Sequence, residues 1–126
     1  MSDDEDLNVL LTFVDTKQIS KSGEGLVHGN IETVRRYIRE GILYAETDKT
    51  KGVGWVCRRG SVQARIVALN KLRNSSQRPS FKSLSNIGEA FKRVTNDDQF
   101  ILSRLKQGMS PVDIGQEIAE RAINFE

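Results

Sequence analysis

The sequence has few of the residues from which disulfides and metal sites are built. It contains one cysteine, Cys57, and one histidine, His28. A single cysteine excludes an intrachain disulfide, and a lone histidine without further ligands excludes the usual zinc sites. Cys57 lies in an apolar run, where cysteine usually behaves as a small hydrophobic side chain. We therefore expect neither a metal nor a cofactor.

Long apolar runs are missing as well. No segment approaches the roughly 18 consecutive apolar residues that a membrane-spanning helix needs. The sequence starts with an acidic run at 3–6, whereas signal and transit peptides are basic or poor in acids. We therefore expect a cytoplasmic protein that makes no contact with membranes.

Sequence motifs of common enzyme classes are also absent. The sequence lacks the GxxxxGK[ST] phosphate loop, the GxGxxG dinucleotide fingerprint, the HExxH zinc motif and the GxSxG serine motif. Asp97 and Asp98 are adjacent, but neighbouring residues on a helix point in different directions, so a helix start explains them better than paired catalytic carboxylates. We expect the protein not to be an enzyme and assign no catalytic residue.

The positive charge of the chain is concentrated in its middle. Residues 16–78 carry 13 Lys and Arg against 5 Asp and Glu, residues 1–15 carry five acids and no base, and residues 79–126 are nearly balanced. A middle segment of +8 therefore lies inside a chain whose net charge is only +2. Such a distribution is typical of a module that binds a polyanion.

The clearest predicted element is a helix of about ten residues that begins after Asn30. Asn30 is a favourable N-cap. Ile31, Val34 and Ile38 recur at helical spacing and form one apolar stripe. Gly41 follows at the position where glycine commonly ends a helix. The remaining faces of this helix carry Thr33, Arg35, Arg36, Tyr37 and Arg39.

Shorter elements are predicted on either side of this helix. A short helix begins at Asp15, in a capping-box-like pattern, and ends near Lys21. A β-hairpin follows, with strands at 42–46 and 53–58 joined by a polar turn. The basic residues at its tip are Lys49 and Lys51.

Helices fill the rest of the predicted fold. Ser61 is the expected cap of a helix that runs to Arg73, and we expect Arg65 on its solvated face. Three further helices are predicted, the first carrying Leu84 to Val94, the second beginning near Thr95 and the third capped by Ser110. We divide the chain into an acidic flexible N-terminus (1–11), a basic domain (12–74), a linker (75–80) and a helical region for dimerisation or partner binding (81–126).

The predicted elements follow one another in the order short helix, loop, arginine-bearing helix and hairpin. This order suits the insertion of one helix into a groove of DNA. The major groove of B-DNA is about 12 Å wide and admits one α-helix. A first helix braces the second, which presents its polar side to the base edges. An arginine donates two parallel hydrogen bonds to guanine or to a phosphate, and an adjacent hairpin reaches the backbone.

The segment Asn30–Glu40 (NIETVRRYIRE) resembles the recognition helix of phage excisionases and of mercury-resistance-type (MerR-type) regulators. Gly41-Ile42-Leu43 is similar to the exit of that helix in both families, and residues 52–64 are similar to their wing and following helix. Residues 100–118 resemble a later MerR-type stretch. The resemblance implies that residues 12–74 form a winged helix-turn-helix DNA-binding domain and that a C-terminal helical region follows it.

The resemblance also implies that Thr33, Arg35, Arg36 and Arg39 face the DNA. Tyr37 has two interpretations, a phosphate contact through its hydroxyl or packing beside the core. Arg58 and Arg59 form a tandem that favours a phosphate clamp. The full set of predicted DNA-binding residues is Asn30, Thr33, Arg35, Arg36, Tyr37, Arg39, Lys49, Lys51, Arg58 and Arg59.

These observations favour a sequence-preferring double-stranded DNA-binding protein that acts as a homodimer. It would be a transcriptional regulator or a recombination directionality factor, excisionase-like, of a mobile element. A DNA-packaging or plasmid-partition adaptor with the same module is an alternative within the class. An alternative of a different class is a helical protein-interaction module whose arginines bind an acidic protein partner. Only the DNA-binding alternatives predict a steep loss of duplex binding with salt.

Overall fold

The computed structural model describes residues 3–48, 53–75 and 79–124. The helices are α1 (Asp3–Leu11), α2 (Thr16–Ile19), α3 (Ile31–Glu40), α4 (Arg59–Ser75), α5 (Leu84–Val94), α6 (Gln99–Lys106) and α7 (Pro111–Asn124), with a 3-10 helix at Pro79–Lys82. The strands are β1 (Phe13–Asp15), β2 (Glu46–Asp48) and β3 (Val53–Arg58). The protein is therefore mainly helical with a small antiparallel sheet, as the composition of predicted elements indicated.

Two predicted helix starts are confirmed by their capping hydrogen bonds. The Asp15 carboxylate accepts from the backbone N–H of Gln18 at 2.8 Å, and the Gln18 side-chain oxygen accepts from the N–H of Asp15 at 3.0 Å. The Asn30 side-chain oxygen accepts from the N–H of Thr33 at 3.0 Å. Helix α2 ends at Ile19, slightly before its predicted end.

Removing the Asn30 cap is expected to destabilise the protein modestly. The Asn30→Ala variant should lose about 1 kcal/mol of unfolding free energy, because the first turn of α3 loses an acceptor for one of its unpaired N–H groups. Urea unfolding followed by circular dichroism measures the change. Asn30→Asp keeps a capping oxygen and serves as the control, so an equal loss in both variants would contradict the capping role.

The sheet has the strand order β1-β3-β2, and both pairs are antiparallel. The predicted hairpin is confirmed as β2 and β3, but its first strand is shifted from 42–46 to 46–48. The reason is that Ile42 and Leu43 are almost fully buried in the core before the strand begins. The tip residues Lys49 and Lys51 lie outside the described residues.

Two hydrophobic clusters form the core. The smaller one joins α3 to the sheet and to the start of α4, through Val14, Ile19, Val27, Val34, Leu43, Cys57 and Val62. The larger one is built from α4, α5, α6 and α7 around residues such as Leu69, Phe91 and Ile118. Each fully buried side chain of this size contributes about 1.5–3 kcal/mol, so the C-terminal helices stabilise α4 strongly.

The N-terminal and linker segments differ from the expectation. Residues 3–11, expected to be flexible, form α1, and Leu10 and Leu11 pack against the larger cluster. Of the expected linker 75–80, residues 76–78 lie outside the described residues, and Pro79 begins the 3-10 helix whose Phe81 is buried. The helical region 81–124 shares its core with α4, because neither element buries its apolar face alone.

The starts of α4 and α6 differ from the prediction, and the start of α7 agrees with it. The prediction that Ser61 caps α4 was wrong. Helix α4 begins at Arg59, so Ser61 lies inside the helix. Helix α6 begins at Gln99 and not near Thr95. The third boundary is confirmed, because the Ser110 hydroxyl oxygen accepts from the N–H of Asp113 at 3.1 Å ahead of α7.

Candidate nucleic-acid interface

Helix α3 is fixed at both ends and along one side. Asn30 caps its first turn, and Gly41 ends it with a φ of 86°, in the left-handed region that a side chain disfavours. The N–H of Gly41 donates back to the carbonyl of Ile38 at 3.2 Å. Val34 is completely buried in the smaller cluster. The core therefore determines which side of α3 faces outward.

Three arginines occupy the outward side of α3, and we call Arg35, Arg36 and Arg39 the arginine face. At about 100° per residue, all three fall on the half of the helix opposite Val34. Each side chain is exposed. Arg35 Nη1 lies 2.6 Å from Oε1 of Glu32 in an exposed pair, which contributes little to stability. Arg36 and Arg39 have no ion-pair partner among the residues that the structure describes.

Asn30 and Thr33, which were predicted to contact DNA, take part in the N-terminal cap of α3. Asn30 is exposed, but its side-chain oxygen accepts from the N–H of Thr33. The Thr33 hydroxyl lies 3.4 Å from the same oxygen, and its side chain packs closely on Gly29. Thr33 also falls on the opposite flank of the helix from Arg35. The structure therefore gives both residues a role in fixing the helix, and their contact with DNA stays a prediction.

Tyr37 packs against the core. Its half-buried ring contacts both hydrophobic clusters, and its backbone carbonyl accepts from the N–H groups of Ile42 and Leu43 at 2.9 and 3.2 Å. Of the two interpretations open for this residue, the structure supports packing. A phosphate contact through its hydroxyl stays a prediction.

Arg58 and Arg59 are both bound within the protein. Arg58 Nη1 donates to the carbonyl of Leu11 at 2.7 Å, and its guanidinium lies 4.3 Å from the centre of the Phe13 ring. Arg59 forms a bidentate pair with Glu24, and this hydrogen bonding is the main reason that the pKa of Glu24 is lowered. A phosphate clamp would have to replace these contacts, which join the end of β3 to α1 and the start of α4 to the loop before α3.

Arg65 and Asp98 form a buried ion pair that the sequence did not predict. Arg65, expected on a solvated face, is only 2% exposed and its Nη2 lies 2.9 Å from Oδ1 of Asp98. Oδ1 also accepts from the Ser61 hydroxyl at 2.7 Å, and Arg65 Nη1 donates to the carbonyl of Ile42 at 3.4 Å. The helical spacing from Val62 through Arg65 to Leu69 places this arginine inside the apolar stripe, which is the pattern that indicates burial.

This pair links the elements that hold α3 in place. Arg65 lies on α4, Asp98 immediately precedes α6, and Ile42 belongs to the turn that leaves α3. Every buried side-chain nitrogen and oxygen in the described part of the chain has a hydrogen-bond partner. A satisfied polar network of this kind fixes relative positions, because each member is costly to leave unpaired.

The C-terminal end of α3 rests directly on α5. Gly88 is buried in the middle of α5, and a Cβ built on it would overlap the carbonyl oxygen of Glu40. The two backbones therefore approach more closely than any side chain would allow. This contact places the exposed Lys92, one turn further along α5, against Gly41 at the end of α3.

Substituting Gly88 by alanine is expected to destabilise the protein by about 1–3 kcal/mol, because the added methyl group must displace the α3 backbone. In an unconstrained helix the same change would stabilise by up to about 1 kcal/mol, so the sign of the effect is informative. Urea unfolding measures it, with Ser85→Ala at an exposed position of α5 as the control. A Gly88→Ala variant at least as stable as the wild type would contradict the close contact.

The thiol of Cys57 is buried in the smaller cluster. Burial is the main cause that raises the pKa of the Cys57 thiol to about 12, so the reactive thiolate is scarce at neutral pH. Within the described ranges, no group of three histidine, cysteine, aspartate or glutamate side chains is placed to hold a metal ion. No helix in those ranges has the length and apolar character needed to cross a membrane.

No protein-family model, curated protein or solved structure matches this chain. The resemblance to excisionases and MerR-type regulators therefore rests on short segments of the sequence, above all 30–43.

Proposed function

We propose that the protein binds double-stranded DNA with sequence preference, by placing the arginine face of α3 in the major groove. The observation that carries the proposal is the exposure of Arg36 and Arg39 without a partner among the described residues, on a helix whose opposite side is buried. Arg36 and Arg39 place two positive charges on one side of the helix, and a polyanion is the natural counterpart of such a surface. Arginine forks also match guanine and phosphate oxygens geometrically.

The dimensions of α3 suit this role. A helix with its side chains is about 10–12 Å across, which fits the roughly 12 Å width of the major groove. The ten residues of α3 extend about 15 Å at 1.5 Å per residue, enough to present a few side chains to successive base pairs. Because both ends are anchored, little ordering is needed on binding, and ordering is one of the costs that weaken association.

The order of elements also supports the proposal. A short helix, a loop, the arginine-bearing helix and an antiparallel hairpin follow one another, in the order implied by the resemblance to winged helix-turn-helix proteins. Helix α2 packs against α3, and the hairpin shares the smaller cluster with α3 through Cys57. The hairpin would then lie beside the groove in which α3 sits.

We further propose that the protein binds as a homodimer on two half-sites. One short helix offers few base contacts, and pairing half-sites multiplies them. A transcriptional regulator or a recombination directionality factor is the role that the resemblance supports. Light scattering of the free protein and of its duplex complex tests the stoichiometry, and a 1:1 complex on a palindromic site would remove the dimer from the proposal.

Duplex binding at several salt concentrations tests the proposed function. Binding-site selection from random duplexes supplies the preferred site, and fluorescence anisotropy supplies the affinity. We expect log K to fall linearly with log salt, with a slope of about 0.9 for each phosphate neutralised, and a preference for the selected site over a scrambled duplex. Polyglutamate serves as the competing polyanion. Binding to polyglutamate without duplex preference would favour the acidic-protein partner instead.

A further inference from the structure

A cleft of about 230 Å³ lies between the C-terminal ends of α3 and α5. Its polar lining comes from Tyr44, Lys92, Thr95 and Asn96, together with the buried Arg65. None of the described residues that line it is acidic. Asp98 pairs with Arg65 at 2.9 Å, so Lys92 is the remaining cation among the residues that line the cleft.

Lys92 lies across the end of α3. Its Cε would be 3.0 Å from a Cβ built on Gly41. Gly41 is two residues after Arg39 in the sequence. The Lys92 side chain is 51% exposed, and its ammonium is 3.6 Å from a carboxylate oxygen of Glu89 on its own helix. An exposed pair of that length contributes little, so the ammonium can exchange Glu89 for another anion at small cost. The cleft therefore lies at the C-terminal end of the helix that carries the arginine face, where α3 contributes Ile38 and Gly41 to its lining.

We propose that this cleft binds one backbone phosphate of the duplex whose major groove receives α3. Lys92 pairs with the phosphate charge, and the Tyr44 hydroxyl and the Asn96 amide are the neutral donors of the lining. The Thr95 hydroxyl donates to the carbonyl of Asp97 and remains in the wall. This inference rests on the proposed function and assigns α5, outside the predicted DNA-binding segment, a direct role in it.

The position of the cleft favours a duplex phosphate over a free anion. A helix in the major groove is flanked by the sugar-phosphate backbone, and contacts from neighbouring elements to that backbone fix its register. The cleft lies at the C-terminal end of α3, where such a flank passes. The close packing of Gly88 on Glu40 holds Lys92 at a fixed distance from the arginine face, as a register contact requires.

Salt dependence of duplex binding tests this inference. We expect Lys92→Gln to lower the slope of log K against log salt by about 0.9, the value for one phosphate. Lys106→Gln, which removes an exposed lysine of α6, should leave the slope unchanged and controls for net charge. Circular dichroism confirms that both variants fold.

A second arm identifies the phosphate itself. A series of duplexes, each with one neutral methylphosphonate linkage, should contain a position at which the wild type loses affinity and Lys92→Gln does not. Free inorganic phosphate at the same concentration should not compete. Equal slopes for Lys92→Gln and Lys106→Gln, with wild-type duplex binding intact, would overturn the cleft alone. Failure of the wild type to bind any duplex would overturn the proposed function together with it.

Discussion

Replacing Arg36 and Arg39 together by alanine will weaken binding to the selected duplex by about 30-fold or more. Each arginine that reaches a base edge contributes about 1–3 kcal/mol, and tenfold in affinity corresponds to about 1.4 kcal/mol. The two side chains are exposed and lie off the buried stripe, so their truncation leaves the core untouched. Fluorescence anisotropy at fixed salt measures the loss.

The control for this prediction must remove the same charge elsewhere. Arg73 on α4 and Lys106 on α6 are exposed and lie outside the arginine face, so an Arg73→Ala, Lys106→Ala variant matches the net charge of the test variant. We expect it to lose little affinity and no preference for the selected site. Equal losses in both variants would mean that binding is a diffuse charge effect and that α3 does not read the groove.

Replacing Asp98 by alanine is the second large effect that we expect. Removing one partner of a buried ion pair costs about 3–5 kcal/mol, because the remaining charge is left uncompensated. Here the remaining charge is Arg65, at 2% exposure, and the Ser61 hydroxyl loses its acceptor as well. Against a typical total of about 5–15 kcal/mol, the loss is large. Urea unfolding of the wild type and of Asp98→Ala measures the difference in unfolding free energy.

A double variant distinguishes the pair from a general effect of mutating the core. Arg65→Met with Asp98→Leu removes both charges and fills similar volume, and such replacements are often neutral or stabilising. We expect it to be clearly more stable than Asp98→Ala alone. If Asp98→Ala unfolds within about 1 kcal/mol of the wild type, a range usual for exposed pairs, the burial of this pair is contradicted.

Local sequence determines α3 and its neighbours, which is why they were predictable. The Asn30 cap, the apolar stripe around Val34 and the terminal Gly41 all act within one or two turns, and the structure confirms the helix between them. The same holds for Asp15 and Gln18 at α2 and for Ser110 at α7. Exposure of the arginine face followed from the position of the stripe, because the two sides of a helix are opposite by geometry.

The features that the sequence did not reveal depend on residues far apart in the chain. Strand β1 has three residues and exists only because β3 pairs with it. Arg65 and Asp98 are distant in sequence, and an isolated arginine on a helix is usually solvated. The contact of Gly88 with Glu40 is a contact between two backbones, so the side chains of these residues do not indicate it in the sequence. These three contacts nevertheless position α3 against the sheet and α5.

The arginines of the candidate site also divide into those whose exposure follows from local sequence and those whose contacts come from distant segments. Arg35, Arg36 and Arg39 are exposed where the pattern placed them. Arg58 and Arg59 were grouped with them by charge, but they contact Leu11 and Glu24 instead. Composition counts charges without their partners, and partners from other segments decide which guanidinium groups remain available.

Binding to duplexes that contain 7-deazapurines shows whether the arginine face enters the major groove. This substitution removes the N7 acceptor from the groove and leaves the phosphates and base pairing intact. We predict that it weakens binding of the wild type by about 1–3 kcal/mol for each arginine–guanine pair that it disrupts, and that it has a smaller effect on the Arg36→Ala, Arg39→Ala variant, which keeps only Arg35 of the arginine face. Equal affinity of the wild type for the normal and the 7-deazapurine duplex would contradict the placement of α3 in the groove.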